Sequence, residues 1–233
     1  MNVAVDNHKV VSEAEWLKER ERLLIKEKEF TRLQAELNLE RRSLPWVKVT
    51  RQYTFDGPKG KQTLADLFEG RSQLIIYHFM FGPNDKAGCP HCSLRADGFN
   101  GINVHLKRHD VTMIAVSRAS YEKLAAYKKR MGWSFPWVSS GGTEFNFDYH
   151  VSFTAEETAK KKAFFNYAMQ DPGHAEREGH SVFYKDESGK HFSHLFVLHA
   201  RQRDLQHPLS LSGSDAKRPG REWPRAILGA TAR

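Results

Sequence analysis

The spacing of apolar residues changes period sharply along the chain. From Ser12 to Arg42, Trp16, Leu23, Leu24, Phe30, Leu33 and Leu37 recur at helical spacing among alternating charges, which predicts one long amphipathic helix. Ser12 with Glu15 three residues on is a capping-box pattern at its start, and Leu44-Pro45-Trp46 ends it. Beyond it, strands and helices alternate. Trp46 to Phe55 predicts a strand, Asp56-Gly57-Pro58-Lys59-Gly60 a turn, Leu64 to Phe68 a short helix, and the run from Leu74 to Phe81 a buried strand. A helix opening at Cys89 and running raggedly past Gly98 and Gly101 towards Arg108 comes next. Val111 to Ser117 follows as a strand, Tyr121 to Arg130 as a helix ended by Gly132, and Phe135-Pro136-Trp137-Val138 as the start of another extended piece. Between Thr154 and Gly179 the pattern is ambiguous: Ala155 to Lys162 has helical spacing, while Phe164 to Tyr167 suits a strand. His180 to Asp186, the turn at Glu187-Ser188-Gly189, and Phe192 onward predict a hairpin.

Strand-helix alternation of this sort, with βαβ followed by a β-hairpin, predicts an α/β fold. Three zones result: an N-terminal helical extension over 1–45, an α/β domain over 46–199, and a basic, poorly ordered tail over 200–233. The chain of 233 residues, 39% hydrophobic, can fill one large core, and its longest apolar run is too short to span a bilayer. Residues Met1 to His8 lack a basic segment followed by an apolar one, so no signal peptide is expected and the cytoplasm is the expected compartment.

The formal charge of +8 raises the question of nucleic acid. Residues 12–42 hold eight Lys/Arg and eight Glu, and so contribute nothing to it. The excess sits in Lys160-Lys161-Lys162 and in the tail, at Arg201, Arg203, Lys217, Arg218, Arg221, Arg225 and Arg233, with no helix-turn-helix, zinc-finger or RNP-like pattern. A basic solvated surface is the expectation, without nucleic-acid or membrane partners.

The candidate chemistry lies in Cys89-Pro90-His91-Cys92, which contains both of the chain's two cysteines. Two thiols in Cys-x-x-Cys spacing where a strand gives way to a helix can cycle through a disulfide, Cys89 as attacking thiolate and Cys92 as resolving thiol. Pro90 suits the first helical position. The helix would then aim its positive end at the Cys89 sulfur, and His91 could stabilise the thiolate by charge or hydrogen bonding. In a reducing compartment a lone cysteine pair points to redox chemistry more than to a structural staple.

Cys-x-x-Cys at the first strand-helix junction of an α/β pattern resembles the thioredoxin fold. Leu64 to Arg71, Phe135 to Ser139 and Ser181 to Gly189 resemble segments of its peroxiredoxin-like members. More narrowly, Leu44 to Val49, Tyr77 to Pro83, Gly88-Cys89-Pro90, Val116 to Ala119 and Tyr127 to Ser140 resemble the bacterial domain-of-unknown-function 899 family, predicted dithiol-disulfide oxidoreductases. The resemblance covers roughly residues 1–190. It implies a thioredoxin-like, peroxiredoxin-related central sheet flanked by helices. It also implies disulfide exchange with a protein or small-molecule thiol partner, and no cofactor. Two departures stand out. Where thioredoxins carry a cis-proline before the penultimate strand, this chain has Gly179-His180, and from about Phe192 the family pattern stops, which suggests a changed reading frame.

Rival readings are a redox-inactive scaffold that dimerises through the N-terminal helix, a peroxidase, and a Cys/His metal site drawing on His91, His105 and His109. Peroxiredoxins carry threonine three residues before the reactive cysteine; Lys86 stands there. Arg118, at the end of a strand, reads as an ordinary ion-pairing residue ahead of a ligand contact. Asp97 reads as a surface carboxylate ahead of a buried proton acceptor, and His78 as a core residue. Phe79, Phe81, Trp133 and Trp137 are candidates for core or groove wall. Gly141-Gly142 alone makes no phosphate loop.

Overall fold

The computed structural model describes residues 8–186 and 191–194. The chain divides into two compact units, Met1–Leu44 and Pro45–Arg233. The predicted tail and the Glu187-Ser188-Gly189 turn of the predicted hairpin lie outside the described residues.

Helix α1 (Glu13–Ser43) is the first unit's element. Both bonds of the capping box form: the Glu15 N–H donates to Ser12 Oγ and the Ser12 N–H donates to Glu15 Oε2 at 3.0 Å. No residue of α1 is buried. At 3.6 residues per turn its apolar side chains fall into two strips, not one. Trp16, Leu23, Phe30, Leu33 and Leu37 share one side, while Leu17, Leu24, Ile25 and Leu39 occupy the other. The single amphipathic face expected from sequence is therefore corrected to two.

In the second unit an eight-stranded sheet runs in the order β1-β10-β9-β4-β5-β6-β2-β3. The strands are β1 (Val47–Lys48), β2 (Thr54–Gly57), β3 (Gly60–Thr63), β4 (Gln73–His78), β5 (Val111–Ser117), β6 (Trp137–Ser139), β9 (Gly179–Lys185) and β10 (His191–His194). β7 (Ala163–Phe165) and β8 (Ala168–Gln170) form a separate hairpin, turned by Asn166 and Tyr167, both with positive φ. The helices are α2 (Leu64–Leu67), α3 (Pro90–Asp97), α4 (Asn103–Arg108), α5 (Tyr121–Met131), α6 (Phe145–Asp148) and α7 (Ala155–Ala159).

β4 lies at the centre, parallel to β5 on one side and antiparallel to β9 on the other, and α3 begins beyond its C-terminal end. This is the thioredoxin-like α/β architecture. Every residue of β4 and β5 is buried, because both faces of these strands are covered. Leu74, Ile76, Ile114 and Val116 face one cluster with Phe145 and Phe183, while Ile75, Tyr77, Met113 and Ala115 face another with Cys92, Phe99 and Trp137.

Several boundaries differ from the pattern-based expectation. The strand expected over 46–55 is two strands at opposite ends of the sheet: β1, at one edge, pairs with β10, and β2, one strand in from the other edge, pairs with β3 and β6. Asp56 and Gly57 belong to β2, which leaves Pro58-Lys59 as the turn. The ragged helix is two helices, parted between Gly98 and Ile102. α6 was not anticipated; it is one turn long, too short for periodicity to register. Gly132 ends α5 at φ 69°, the left-handed cap that glycine adopts without a Cβ penalty. No helix among the described residues is long and apolar enough to cross a membrane.

Candidate active site

Beyond β4 the chain continues through Phe79 to Phe81, with the Phe79 N–H bonded to the Val116 carbonyl at 2.9 Å, and then loops back to the start of α3. The Cys89 N–H donates to the Met80 carbonyl at 3.1 Å, which ties the loop's end to its beginning. Gly88 is required there by space. A Cβ at this position would lie 2.7 Å from the Phe79 ring and 3.1 Å from the Tyr127 ring.

All four predicted site residues fall in the first turn of α3. Cys89 is its N-cap and half-buried, and Pro90 is its first residue. The Ser93 N–H and hydroxyl both donate to the Cys89 carbonyl, at 2.9 and 3.0 Å, and the Ser93 hydroxyl lies 2.9 Å from the Tyr127 hydroxyl. The Cys89 backbone is thus held by the helix and by α5. His91 is exposed. Cys92 is fully buried, one turn behind Cys89, and both thiols are free.

Behind Cys92 is a polar group that no local pattern signalled. Cys92 Sγ lies 3.6 Å from Glu178 Oε2. The same oxygen accepts from the Tyr77 hydroxyl at 3.2 Å and pairs with the Arg95 guanidinium at 3.0 Å. His180 lies against Tyr77, ring centroids 4.8 Å apart, across the β4–β9 register that pairs these two residues. Burial pushes the Cys92 thiol far up, whereas hydrogen bonds from Tyr77 and the Met80 backbone favour its thiolate. Burial, and then the charges of Cys92 and Glu178, hold the Tyr77 phenol well above its ordinary value. Burial, and then the Arg95 charge, push His180 down to about 3. Glu178 came from the interval with no clear periodicity, while Arg95 and Tyr77 lie within a predicted helix and a predicted buried strand. No sequence signal singled out any of them.

The remaining candidates separate. Asp97 is exposed and accepts from Trp133 Nε1 at 2.7 Å. It is the surface carboxylate expected, while the acid beside Cys92 is Glu178. Arg118 pairs with Glu176 at 2.8 Å and stacks over Phe147; Ser152 donates to the same carboxylate at 2.5 Å. It is an ion-pairing residue. His78 is buried on the opposite face, 2.7 Å from Ser181 Oγ and stacked on Phe145, a core histidine. Phe79, Phe81, Trp133 and Trp137 are core. Lys86 is exposed. The Gly141 N–H donates to Ser139 Oγ, and Gly142 has φ 78°; together they form a turn. Among the described residues no group of three or more His, Cys, Asp or Glu could hold a metal ion, so His91, His105 and His109 do not converge. Gly179 opens β9, and no peptide bond among the described residues is cis.

Residues 5–220 match the family described as "Bacterial protein of unknown function (DUF899)". The match runs past Phe192, where the segment-by-segment resemblance stops. No curated protein matches the chain. Among solved structures, peroxidoxin BcpB of Mycobacterium tuberculosis is 14% identical, over 76% of this chain and 100% of its own, with a TM-score of 0.41. A putative thiol:disulfide interchange protein DsbE of Chlorobium tepidum is 15% identical over 73% and 100%, with a TM-score of 0.42. A yeast mitochondrial 1-Cys peroxiredoxin is 15% identical over 71% and 75%, with a TM-score of 0.42. Likenesses at this level assign no activity to the chain.

Proposed function

The chain belongs to the DUF899 family of bacterial proteins of unknown function, and on that premise we propose that it is a thiol-disulfide oxidoreductase. The observation that carries the proposal is the asymmetry of the two thiols. Cys89 is half-buried at the helix N-cap, and Cys92 is fully buried one turn behind it. In this reading the Cys89 thiolate attacks a substrate disulfide, one substrate thiol leaves, and Cys92 displaces the other to close the Cys89–Cys92 disulfide. The substrate is reduced by two electrons and the cysteine pair is oxidised by two. Pro90 starts the helix that presents Cys89, and exposed His91 tunes the approach. The partners are protein or small-molecule disulfides and thiols, and the proposed compartment is the cytoplasm. The domain over 46–199 carries the reaction. Self-association is proposed for α1, whose two apolar strips are exposed and which has no buried residue to support a helix in water.

The test is a Cys92→Ser variant offered an excess of glutathione disulfide. A stable mixed disulfide at Cys89 is expected, where the wild type ends with both cysteines joined and glutathione released. Alkylation of wild-type Cys89 near neutral pH should outpace that of Cys92 by at least about a hundredfold. A Cys92→Ser variant that takes up no glutathione leaves the redox-inactive scaffold in possession.

A further inference from the structure

A resolving thiol has to lose its proton before it can attack, and Cys92 is fully buried, out of reach of solvent hydroxide. The proton must therefore pass to a group inside the protein. Each neighbour can be judged by position and chemistry. His91 and Asp97 are exposed, and Asp97 is already bonded to Trp133. Tyr77 touches the site but is itself a proton donor, holding its own proton beside a carboxylate. His180 faces the Tyr77 ring, and burial, with the Arg95 charge adding to it, disfavours its protonation. That leaves Glu178, whose Oε2 is 3.6 Å from Cys92 Sγ and is fixed there by Arg95 from the same helix as the cysteines.

We infer that Glu178 is the general base of the resolving step, and that Tyr77 is the switch that hands the negative charge to sulfur. The inference rests on the oxidoreductase reading. In the mixed disulfide, Cys92 Sγ–H gives its proton to Glu178 Oε2. The neutral carboxyl no longer holds the phenol as strongly, and the Tyr77 hydroxyl turns its single proton to the new thiolate. The Met80 N–H assists from the backbone. The Cys92 thiolate then forms the bond to Cys89 Sγ as the bond from Cys89 to the substrate sulfur breaks. The departing thiolate takes a proton from water. Glu178 then passes the proton to solvent, or returns it to Cys92 in the reverse reaction. The charged and titratable groups acting on Cys92 are then Cys89 from α3, Tyr77 from β4 and Glu178 from the lead into β9, with Arg95 of α3 paired to Glu178 and His180 of β9 packed on Tyr77.

The experiment is a stopped-flow reaction of the reduced protein with dithionitrobenzoate. Attack by Cys89 releases one thionitrobenzoate and resolution by Cys92 releases a second, so the two steps are read separately. In the wild type the second release should be nearly flat between about pH 6 and 8, because an internal base takes the proton. In Glu178→Gln it should slow by about a hundredfold near pH 7, with the first release within about twofold of the wild type. A flat, wild-type second release in Glu178→Gln overturns the inference. Should that variant not fold, the wild-type profile decides: a tenfold rise per pH unit means that hydroxide takes the proton, and overturns it equally. A wild type that releases one equivalent and forms no Cys89–Cys92 disulfide overturns the oxidoreductase reading itself, and this step with it.

Discussion

Lowering the pH from 8 to 5 should destabilise the folded protein through two histidines. His78 and His180 are both buried, and burial pushes each ring down to about 3, with the Arg95 charge adding to the effect on His180. In the unfolded chain an imidazole returns to about 6.5. The folded value lies below the unfolded one, so between the two the unfolded chain binds more protons. This stabilisation is full above about pH 6.5 and is lost as the pH falls towards about 3. At pH 5 an unfolded histidine is protonated about thirtyfold over neutral, while the folded ring stays neutral. Each ring then costs about 2 kcal/mol relative to pH 8, or about 4 kcal/mol for the pair. The figure needs the folded value only to lie well below 5. Glu176, whose carboxyl burial pushes up, works in the opposite sense in acid, so the clean measurement is a difference between proteins. Phenylalanine at position 180 keeps the ring against Tyr77 and removes the titrating group together with a buried Nδ1 that has no protein partner. Urea unfolding followed by tryptophan fluorescence at both pH values gives the comparison. The pH 8-to-5 loss in His180→Phe should be smaller than in the wild type by about 2 kcal/mol. A variant with the wild-type pH dependence refutes the assignment of a buried, neutral His180.

Gly88→Ala should lower stability by about 1–3 kcal/mol, read as a fall of several degrees in Tm, because its Cβ would press on the Phe79 and Tyr127 rings. A Tm equal to that of the wild type would mean the loop before Cys89 yields without cost. For α1, the double variant Leu23→Glu and Phe30→Glu puts charge into one apolar strip. Sedimentation equilibrium should show a self-associating wild type and a monomeric variant; equal masses would remove this strip as the contact.

Some of the site was readable from short-range rules. Cys89 as N-cap and Pro90 as the first helical residue follow from the proline's fixed φ and missing N–H, and both hold in the structure. β5 has the predicted bounds, since a mostly apolar run of seven residues between the charged Asp110 and Arg118 reads as a buried strand. Other elements resisted for identifiable reasons. β1 and β2 look like one strand because their residue types are similar, yet Val47 finds its partner at Ser193 and Phe55 at Gln62, towards opposite ends of the sheet. Local composition carries no information about which edge a strand joins. Asp97 was the carboxylate nearest to Cys92 in sequence, but it lies on the exposed side of α3, where it accepts from Trp133.

The sequence by itself determined the capped helix α1, the cysteine pair at a strand-to-helix junction, the buried central strands and the family. Each depends on contacts within a few residues or on the period of one segment. Only the tertiary structure decided the chemistry around Cys92. Glu178 is 86 residues away along the chain, and it meets the thiol because β9 pairs antiparallel with β4 in the register that sets His180 opposite Tyr77. A slip of one residue would turn His180 and its neighbours to the other face of the sheet. That register comes from packing both faces of β4 at once, a long-range property that no window of the chain contains.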